Sequence, residues 1–335
     1  AVEYQTPDGE PMTVAILHER LGNVQQAWQF TLNEIGRYYE CVGSEFSTVD
    51  PTTDVRGDAR WRDWLEREPS PLAKQTIASF LPMAALIGQR TGEMHVALAN
   101  VPDHTSFAPE PFTPFYQRSL FQSMRNHAGR VLRTLRRQMP FLPESVRDDA
   151  SAVLAKEAEI LGRFRRIVER KISALRIRCH GDYHLGQVLY TGKDFAIIDF
   201  EGEPMRSISE RRIKRSPLRD VAGMIRSFHY AAYAGLMGRT PGVVIRTEDS
   251  AQLARWANFW YQWTSIVFLK AYLHQVAEAP FVPRAPDELE CLLDTFLLEK
   301  SLYETHYELN NRPDWIGLPL RGVLNVLEMS ELRQP

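Results

Sequence analysis

The 335-residue chain has little of several things, and each shortage excludes a class of protein. Its three cysteines, Cys41, Cys179 and Cys291, are far apart, odd in number and form no CxxC pair. That pattern argues against a disulfide framework and against a structural zinc site, and it fits a reducing compartment such as the cytoplasm. Charge of one sign is missing too. Forty Lys and Arg against forty-two Asp and Glu leave a formal charge of -2, so no global field draws the chain to nucleic acid or to an anionic membrane. No run approaches the roughly 18 apolar residues of a membrane span, and the first residues, "AVEYQTPDGEPM", lack a basic-then-apolar leader. Internal repeats and low-complexity stretches are absent. What is present is ordinary globular composition, 44% hydrophobic, enough for one large or two smaller cores.

Strand signals are scarce before residue 175. Thr13-Val14-Ala15-Ile16-Leu17 follows a Pro7-Asp8-Gly9 turn and reads as a strand. Asn23 is placed to cap a helix whose apolar stripe is Trp28, Leu32, Ile35 and Tyr39. Further helices are expected over about 71–99, 116–138 and 144–171, the last two forming an antiparallel pair. Prolines make residues 101–115 a long ordered loop or a lid. Strand character returns over 175–200, and helix resumes at Ser216-Pro217.

The chemistry concentrates in "CHGDYHLGQ", residues 179–187, and in "IDFE", residues 198–201. Gln187-Val188-Leu189-Tyr190 and Ala196-Ile197-Ile198-Asp199 read as a hairpin around Thr191-Gly192-Lys193-Asp194. A turn centred on Lys193 sets Gln187 opposite Asp199, so an amide oxygen and a carboxylate converge as hard ligands for Mg²⁺. A two-residue turn would shift the register by one and make the pair diagonal. Asp182, five residues before Gln187, sits where a carboxylate can orient a substrate hydroxyl and accept its proton. His180 reads as a residue that packs this loop, and His184 as one that reaches a phosphate or the acceptor. Asp220 lies near a helix start.

On one helical face lie Lys300, Tyr303, Glu304, Tyr307, Glu308 and Asn311, at spacings of three and four. Aromatic rings and carboxylates together suit a sugar; the plain alternative is a solvated face with a Lys300–Glu304 pair. Arg219 joins His184, Tyr303, Glu304, Tyr307 and Glu308 as a candidate substrate contact. Arg206, Arg211, Arg212, Lys214 and Arg215 form a basic loop, read as solvated or as touching phosphate or a partner. Arg125, Arg130, Arg133, Arg136 and Arg137 make a solvent-facing helix surface.

The H-x-D, the amide five positions on and the following Asp resemble the catalytic and metal loops of protein kinase-like small-molecule phosphotransferases. Here Gln187 stands for the usual Asn, and Asp199-Phe200-Glu201-Gly202 for D-F-G. The longer strings "FAIIDFEGEP", "RSPLRDVAGMIRSFHYAA", "LYETHYELNNRPDW", "TGEMHVALA" and "AILHERLGN" are similar to bacterial maltokinases across essentially the whole chain. The resemblance implies an α+β, mostly α, protein kinase-like fold, with residues 1–19 a remnant of the N-lobe and hinge and 20–335 the helical C-lobe. It implies ATP and Mg²⁺ as cofactors, Asp182 as base, Gln187 and Asp199 as metal ligands, and Leu17, His18 and Glu19 at the adenine hinge. At Asp220 it implies a carboxylate that accepts backbone N–H groups of the catalytic loop and orients it. It also implies maltose as acceptor and a fused or bound trehalose synthase as partner. Members of that family carry a further N-terminal stretch with the phosphate-covering loop and lysine, so this chain alone is expected to bind ATP poorly. A related sugar or aminosugar kinase, or an assembly module for trehalose synthase, are the alternatives.

Overall fold

A computed structural model describes residues 2–5, 12–17, 19–54, 61–101, 104–237 and 250–331. Within these, strands β1 (Val2–Tyr4) and β2 (Met12–Ala15) form an exposed two-stranded ribbon. The strand expected to reach Leu17 stops at Ala15; Ile16 and Leu17 follow in irregular, solvent-exposed backbone. His18 and the Pro7-Asp8-Gly9 turn lie outside the described residues. Strand β3 (Gln25–Gln26) leads directly into helix α1 (Ala27–Glu45). Asn23 therefore caps nothing: it has a φ of 52°, and Gln25 and Gln26 are taken up by a sheet edge before the helix starts. The expected stripe holds, with Leu32, Ile35 and Tyr39 buried and Trp28 half-buried.

Helices α2 (Trp61–Leu65), α3 (Pro71–Thr76) and α4 (Phe80–Ala99) come next. The single helix expected over 71–99 is broken where Ala78 takes a φ of 41°; Pro82, four residues on, has no N–H for the Ala78 carbonyl and its ring crowds it, so α4 starts afresh at Phe80. After β4 (Glu110–Pro111) come α5 (Pro114–Gln138), α6 (Glu144–Ala155) and α7 (Glu157–Glu169). Lys156 separates α6 from α7 by turning its backbone out of helical geometry, so the helix expected over 144–171 is two. The proline-rich connector is held rather than free. β4 pairs antiparallel with β5 (Leu175–Arg176), and Glu110 receives Arg176 at 2.7 Å and Lys214 at 2.9 Å.

The expected hairpin comprises β6 (Val188–Tyr190) and β7 (Phe195–Ile197), in a three-stranded sheet ordered β3-β6-β7. Beyond it lie α8 (Ile208–Arg211), α9 (Leu218–Leu236), α10 (Ser250–Gln275), α11 (Pro286–Asn311) and α12 (Gly317–Glu331). Helix α9 begins one residue later than its Ser-Pro signal, with Pro217 as cap and Ser216 Oγ accepting the Leu218 N–H at 3.3 Å. It is the buried axis of the molecule, packed by α1, α10, α11 and α12. Its polar residues within that apolar run, Asp220, Arg226, Ser227 and His229, are consequently buried as well. The α4–α10 crossing needs glycine, because a Cβ on Gly88 would sit 2.3 Å from the Phe268 carbonyl oxygen. Phe80, Trp260 and Phe228 fill the space between these helices, with the Phe80 and Trp260 rings 4.9 Å apart. Among the described residues no helix is long and apolar enough to cross a membrane.

His229 is 1% exposed, lies against the Tyr233 and Tyr261 rings, and neither ring nitrogen has a hydrogen-bond partner. Burial, and then the positive charges of Arg226 and Arg321, push its imidazole well below the usual range. The unfolded chain binds a proton near pH 6.5 that the folded one refuses, so stability is full above that pH and falls as pH drops below it, by up to about 1.4 kcal/mol per pH unit. His229→Phe should remove one proton's worth of that slope between about pH 6.5 and 5. Urea midpoints across this range check it; an unchanged slope would mean that His229 does not fold neutral.

Candidate active site

The loop bearing Asp182 is fixed from behind. Asp220, in the first turn of α9 and 2% exposed, accepts the His180 N–H at 2.7 Å and the Gly181 N–H at 3.0 Å. It also meets His95 Nε2 of α4 at 3.1 Å, and His95 in turn reaches the Tyr272 hydroxyl at 3.2 Å. Burial alone would raise the Asp220 carboxyl, but His95, His180 and the Gly181 N–H outweigh it and hold it below the usual carboxylate range. No role for His95 follows from the sequence; its place on the face of Ile87, Thr91 and Met94, which is buried, was the available signal.

His180 joins the two loops that carry the candidate residues. Its Nδ1 accepts the Asp182 N–H at 3.4 Å, so Nε2 carries the proton and donates to the Ile198 carbonyl at 2.8 Å. The ring is buried and lies 4.9 Å from that of Phe200. Two glycines with positive φ, Gly181 at 89° and Gly202 at 77°, let the loops touch: a Cβ on Gly181 would lie 3.2 Å from the Gly202 Cα. On the other side, a Cβ on Gly223 would fall 2.6 Å from the Tyr183 carbonyl oxygen, so α9 also depends on glycine to seat the loop.

The hairpin register differs from the one expected. Val188 pairs with Ile197, Leu189 with Ala196 and Tyr190 with Phe195, which puts Gln187 opposite Ile198 instead of Asp199. The cause is the turn: Thr191 N–H and Oγ1 both close on the Asp194 carbonyl, at 2.9 and 3.0 Å, shifting the turn centre away from Lys193. Asp199 still meets Gln187. Its φ of 65° swings the side chain back, and Gln187 Nε2 donates to Asp199 Oδ2 at 2.7 Å. Among the described residues no cluster of three or more His, Cys, Asp or Glu could hold a metal. Gln187 and Asp199 fit a different kind of metal site, in which two protein oxygens are completed by water and phosphate. Both side chains are accessible, and a half-turn of the amide presents its oxygen.

Asp182 faces two clefts. One, of about 600 Å³, is lined by His184, Tyr303, Glu304, Tyr307 and Glu308, together with Trp28, Tyr230, Arg312 and Trp315. Lys300 Nζ stands 4.0 Å from Asp182 Oδ1 and His184 Nε2 3.9 Å from Oδ2. Burial lowers the His184 imidazole below its ordinary range, and its Nδ1 is occupied by the Gly186 N–H at 3.0 Å. The Lys300–Glu304 pair of the plain reading does not form; Glu304 instead takes Arg226 Nε at 2.8 Å. Four residues on, Tyr230 donates to Glu308 at 3.1 Å, so α9 and α11 run parallel here and are joined by two matched rungs. Arg312 grips Glu308 through two bonds of 2.9 and 2.7 Å and lies over the Trp315 ring. Burial nonetheless pushes the Glu308 carboxyl up. Trp315 stacks nearly parallel on Tyr230, with 6.0 Å between centroids.

Arg219 is not in this cleft. It lines the second, of about 510 Å³, where it pairs with Glu299 at 2.7 Å beside His127, Arg130 and Arg206. The basic loop is only partly solvated: Lys214 is buried against Glu110 and the Thr105 carbonyl, and Arg211 donates to the Pro204 and Arg206 carbonyls. Leu17 is 95% exposed, and Leu17 and Glu19 line neither cleft at Asp182. Arg226, Tyr230, Arg312 and Trp315 were assigned no role from sequence. The lone charge of Arg226 in the apolar run of α9 was the signal for the first.

Replacing Asp220 by alanine leaves two buried N–H groups without an acceptor and should cost about 3 kcal/mol. Because the folded carboxyl is depressed, its contribution is full above about pH 3.9 and fades as pH falls through the folded value. Asp220→Ala should therefore also flatten the acid limb of the stability curve below about pH 4. Urea unfolding at pH 7 and an acid titration followed by circular dichroism test both expectations.

No family model matches the chain. Curated relatives do: a glucosamine kinase of Streptacidiphilus jiangxiensis is 29% identical over 151 residues, 45% of this chain and 32% of that protein. A glucosamine kinase of Mycolicibacterium smegmatis is 34% identical over 151 residues, 42% of this chain and 32% of that protein. The match thus spans about a third of the length of each. Among solved structures, crystal form B of a glucosamine kinase superposes with a TM-score of 0.63 at 20% identity, covering 92% of this chain and 60% of that one. A glucosamine kinase in complex with glucosamine, ADP and inorganic phosphate gives 0.62 at 19%, covering 92% and 62%. The chain is similar in sequence to sugar kinases and, over nearly all its length, has the mostly helical α+β fold of their solved structures.

Proposed function

We propose that this chain carries the acceptor cleft and catalytic loop of an ATP-dependent sugar kinase whose acceptor is an aminosugar. The observation that carries the acceptor class is the charge of the 600 Å³ cleft. Asp182, Glu203, Glu304 and Glu308 face it against Lys300 and Arg312, and burial keeps His184 neutral. With Arg226 behind Glu304 counted as well, four carboxylates stand against three cations, and that excess suits an ammonium-bearing sugar more than a neutral disaccharide. The named relatives point the same way and move the acceptor from maltose to glucosamine. The Tyr230, Tyr307 and Trp315 rings supply faces for the CH patches of a pyranose.

In this reading Asp182 orients the acceptor hydroxyl and takes its proton as the phosphoryl group arrives. It is held for that task by His180 through its N–H, with His184 Nε2 and Lys300 Nζ beside its two oxygens. Gln187 and Asp199 would hold Mg²⁺, which neutralises charge on the transferring group. Glu304 and Glu308, kept in place by Arg226 and by Tyr230 and Arg312, fix the sugar. Residues 1–19 are proposed as the edge of a nucleotide-binding lobe, with Leu17, His18 and Glu19 at its hinge, and 20–335 as the lobe that binds the acceptor.

Calorimetric titration of the chain with glucosamine, glucose and maltose at pH 7 tests the acceptor class. Glucosamine should bind about tenfold more tightly than glucose, and Glu304→Gln should erase most of that margin. Maltose binding best would return the assignment to a maltokinase. In the phosphotransfer assay with ATP and Mg²⁺, Asp182→Asn should lower kcat by about 10²- to 10⁴-fold while glucosamine still binds.

A further inference from the structure

Behind the acceptor cleft, between α9, α10 and α12, lies a separate cavity of about 360 Å³, within the roughly 300–1,000 Å³ of small-molecule sites. Its walls carry guanidinium groups whose carboxylate partners are not among the lining residues. Arg226, Arg255 and Arg321 line it against a single carboxylate, Glu328. Arg255 and Arg321 approach Asp50 and Asp149 through Nε, at 3.7 and 3.2 Å, and each side chain is about half exposed at 47% and 50%. The polar wall is unsatisfied as well. Ser265, 1% exposed, has a hydroxyl with no hydrogen-bond partner, and the Gln262 side-chain oxygen has none either. Each such group is destabilising while it stays unpaired, and a bound molecule with hydroxyl groups would satisfy it.

We infer that this cavity is a binding site for a small phosphorylated polyol or hydroxy acid, and that its occupancy is felt at Glu304 through Arg226. Guanidinium forks match phosphate oxygens, and the free hydroxyl and amide of Ser265 and Gln262 match the hydroxyls of the carbon chain. Trp61 and Trp64 furnish its apolar side. Arg226 belongs to both places: it lines the cavity, while its Nε and Nη2 each lie 2.8 Å from Glu304 Oε2. Gly322 leaves it room to do so, since a Cβ there would lie 2.2 Å from Nη1. A phosphate on the cavity side competes with Glu304 for this one cation and so alters the charge facing the acceptor. The site stands without the sugar-kinase reading; only its coupling rests on it.

The test is titration of the full chain with glycerol 3-phosphate, glycerol and inorganic phosphate, read by calorimetry and by the fluorescence of Trp61 and Trp64. Glycerol 3-phosphate should bind saturably, glycerol should not, and inorganic phosphate should bind at least about tenfold more weakly. Arg321→Ala, a substitution at a half-exposed side chain, should weaken glycerol 3-phosphate about tenfold, and Ser265→Leu, which fills the cavity, should abolish it. Asp182→Asn should leave it unchanged. Absence of saturable binding, or binding that survives Arg321→Ala and is lost in Asp182→Asn, overturns the site. Equal affinity for inorganic phosphate overturns the assignment to an ester. Glucosamine affinity that stays the same in protein saturated with glycerol 3-phosphate overturns the coupling alone.

Discussion

The Asp220 carboxylate is the point on which the site hangs. Two adjacent backbone N–H groups, of His180 and Gly181, and the ring of His95 converge on it inside a helical core. The carboxylate thereby turns the most deeply packed helix, α9, into the reference frame for the loop that carries Asp182. Gly223, on the next turn of that helix, completes the seating by letting the Tyr183 carbonyl come close. Core packing and chemical geometry are thus set by the same few contacts.

Helix α9 has a second role, played by residues farther along it. Arg226 and Tyr230 cross to Glu304 and Glu308 on α11, one turn apart on both helices. The acceptor cleft is consequently built from two rigid rods with fixed relative height. Its aromatic lining, Trp315 on Tyr230 and Arg312 over Trp315, is laid on top of these rungs. A kinase acting on a small, freely tumbling acceptor needs such rigidity more than a large contact area, because the reacting hydroxyl must be held close to one carboxylate.

What could be read from the sequence follows the range of the interactions. Asp182, Gln187 and Asp199 are separated by one loop and one hairpin, so spacing alone brought them together; the register then took the two-residue-turn alternative, one off the main expectation, because the Thr191 N–H and hydroxyl both close on the Asp194 carbonyl. The face of Tyr303, Glu304, Tyr307 and Glu308 was visible from helical periodicity, which is also local. The partners of that face, Arg226 and Tyr230, are seventy-eight residues away, and nothing in the sequence places two helices beside each other. The partners of His95 and Lys214 were invisible for the same reason, as they lie on other elements. The break at Ala78 was legible in Pro82, which cannot donate to the carbonyl four residues back, whereas the break at Lys156 carries no glycine or proline and is set by tertiary packing over propensity.

The contact of Gly181 with Gly202, together with the bond from His180 to the Ile198 carbonyl, makes the base-bearing loop and the loop after Asp199 one mechanical body. A clamp built this way has a single fixed jaw. In the proposed kinase reading, any closing motion would then fall to whatever lies across from it, the nucleotide side or the acceptor itself, while the Asp182 and Asp199 carboxylates would keep their separation.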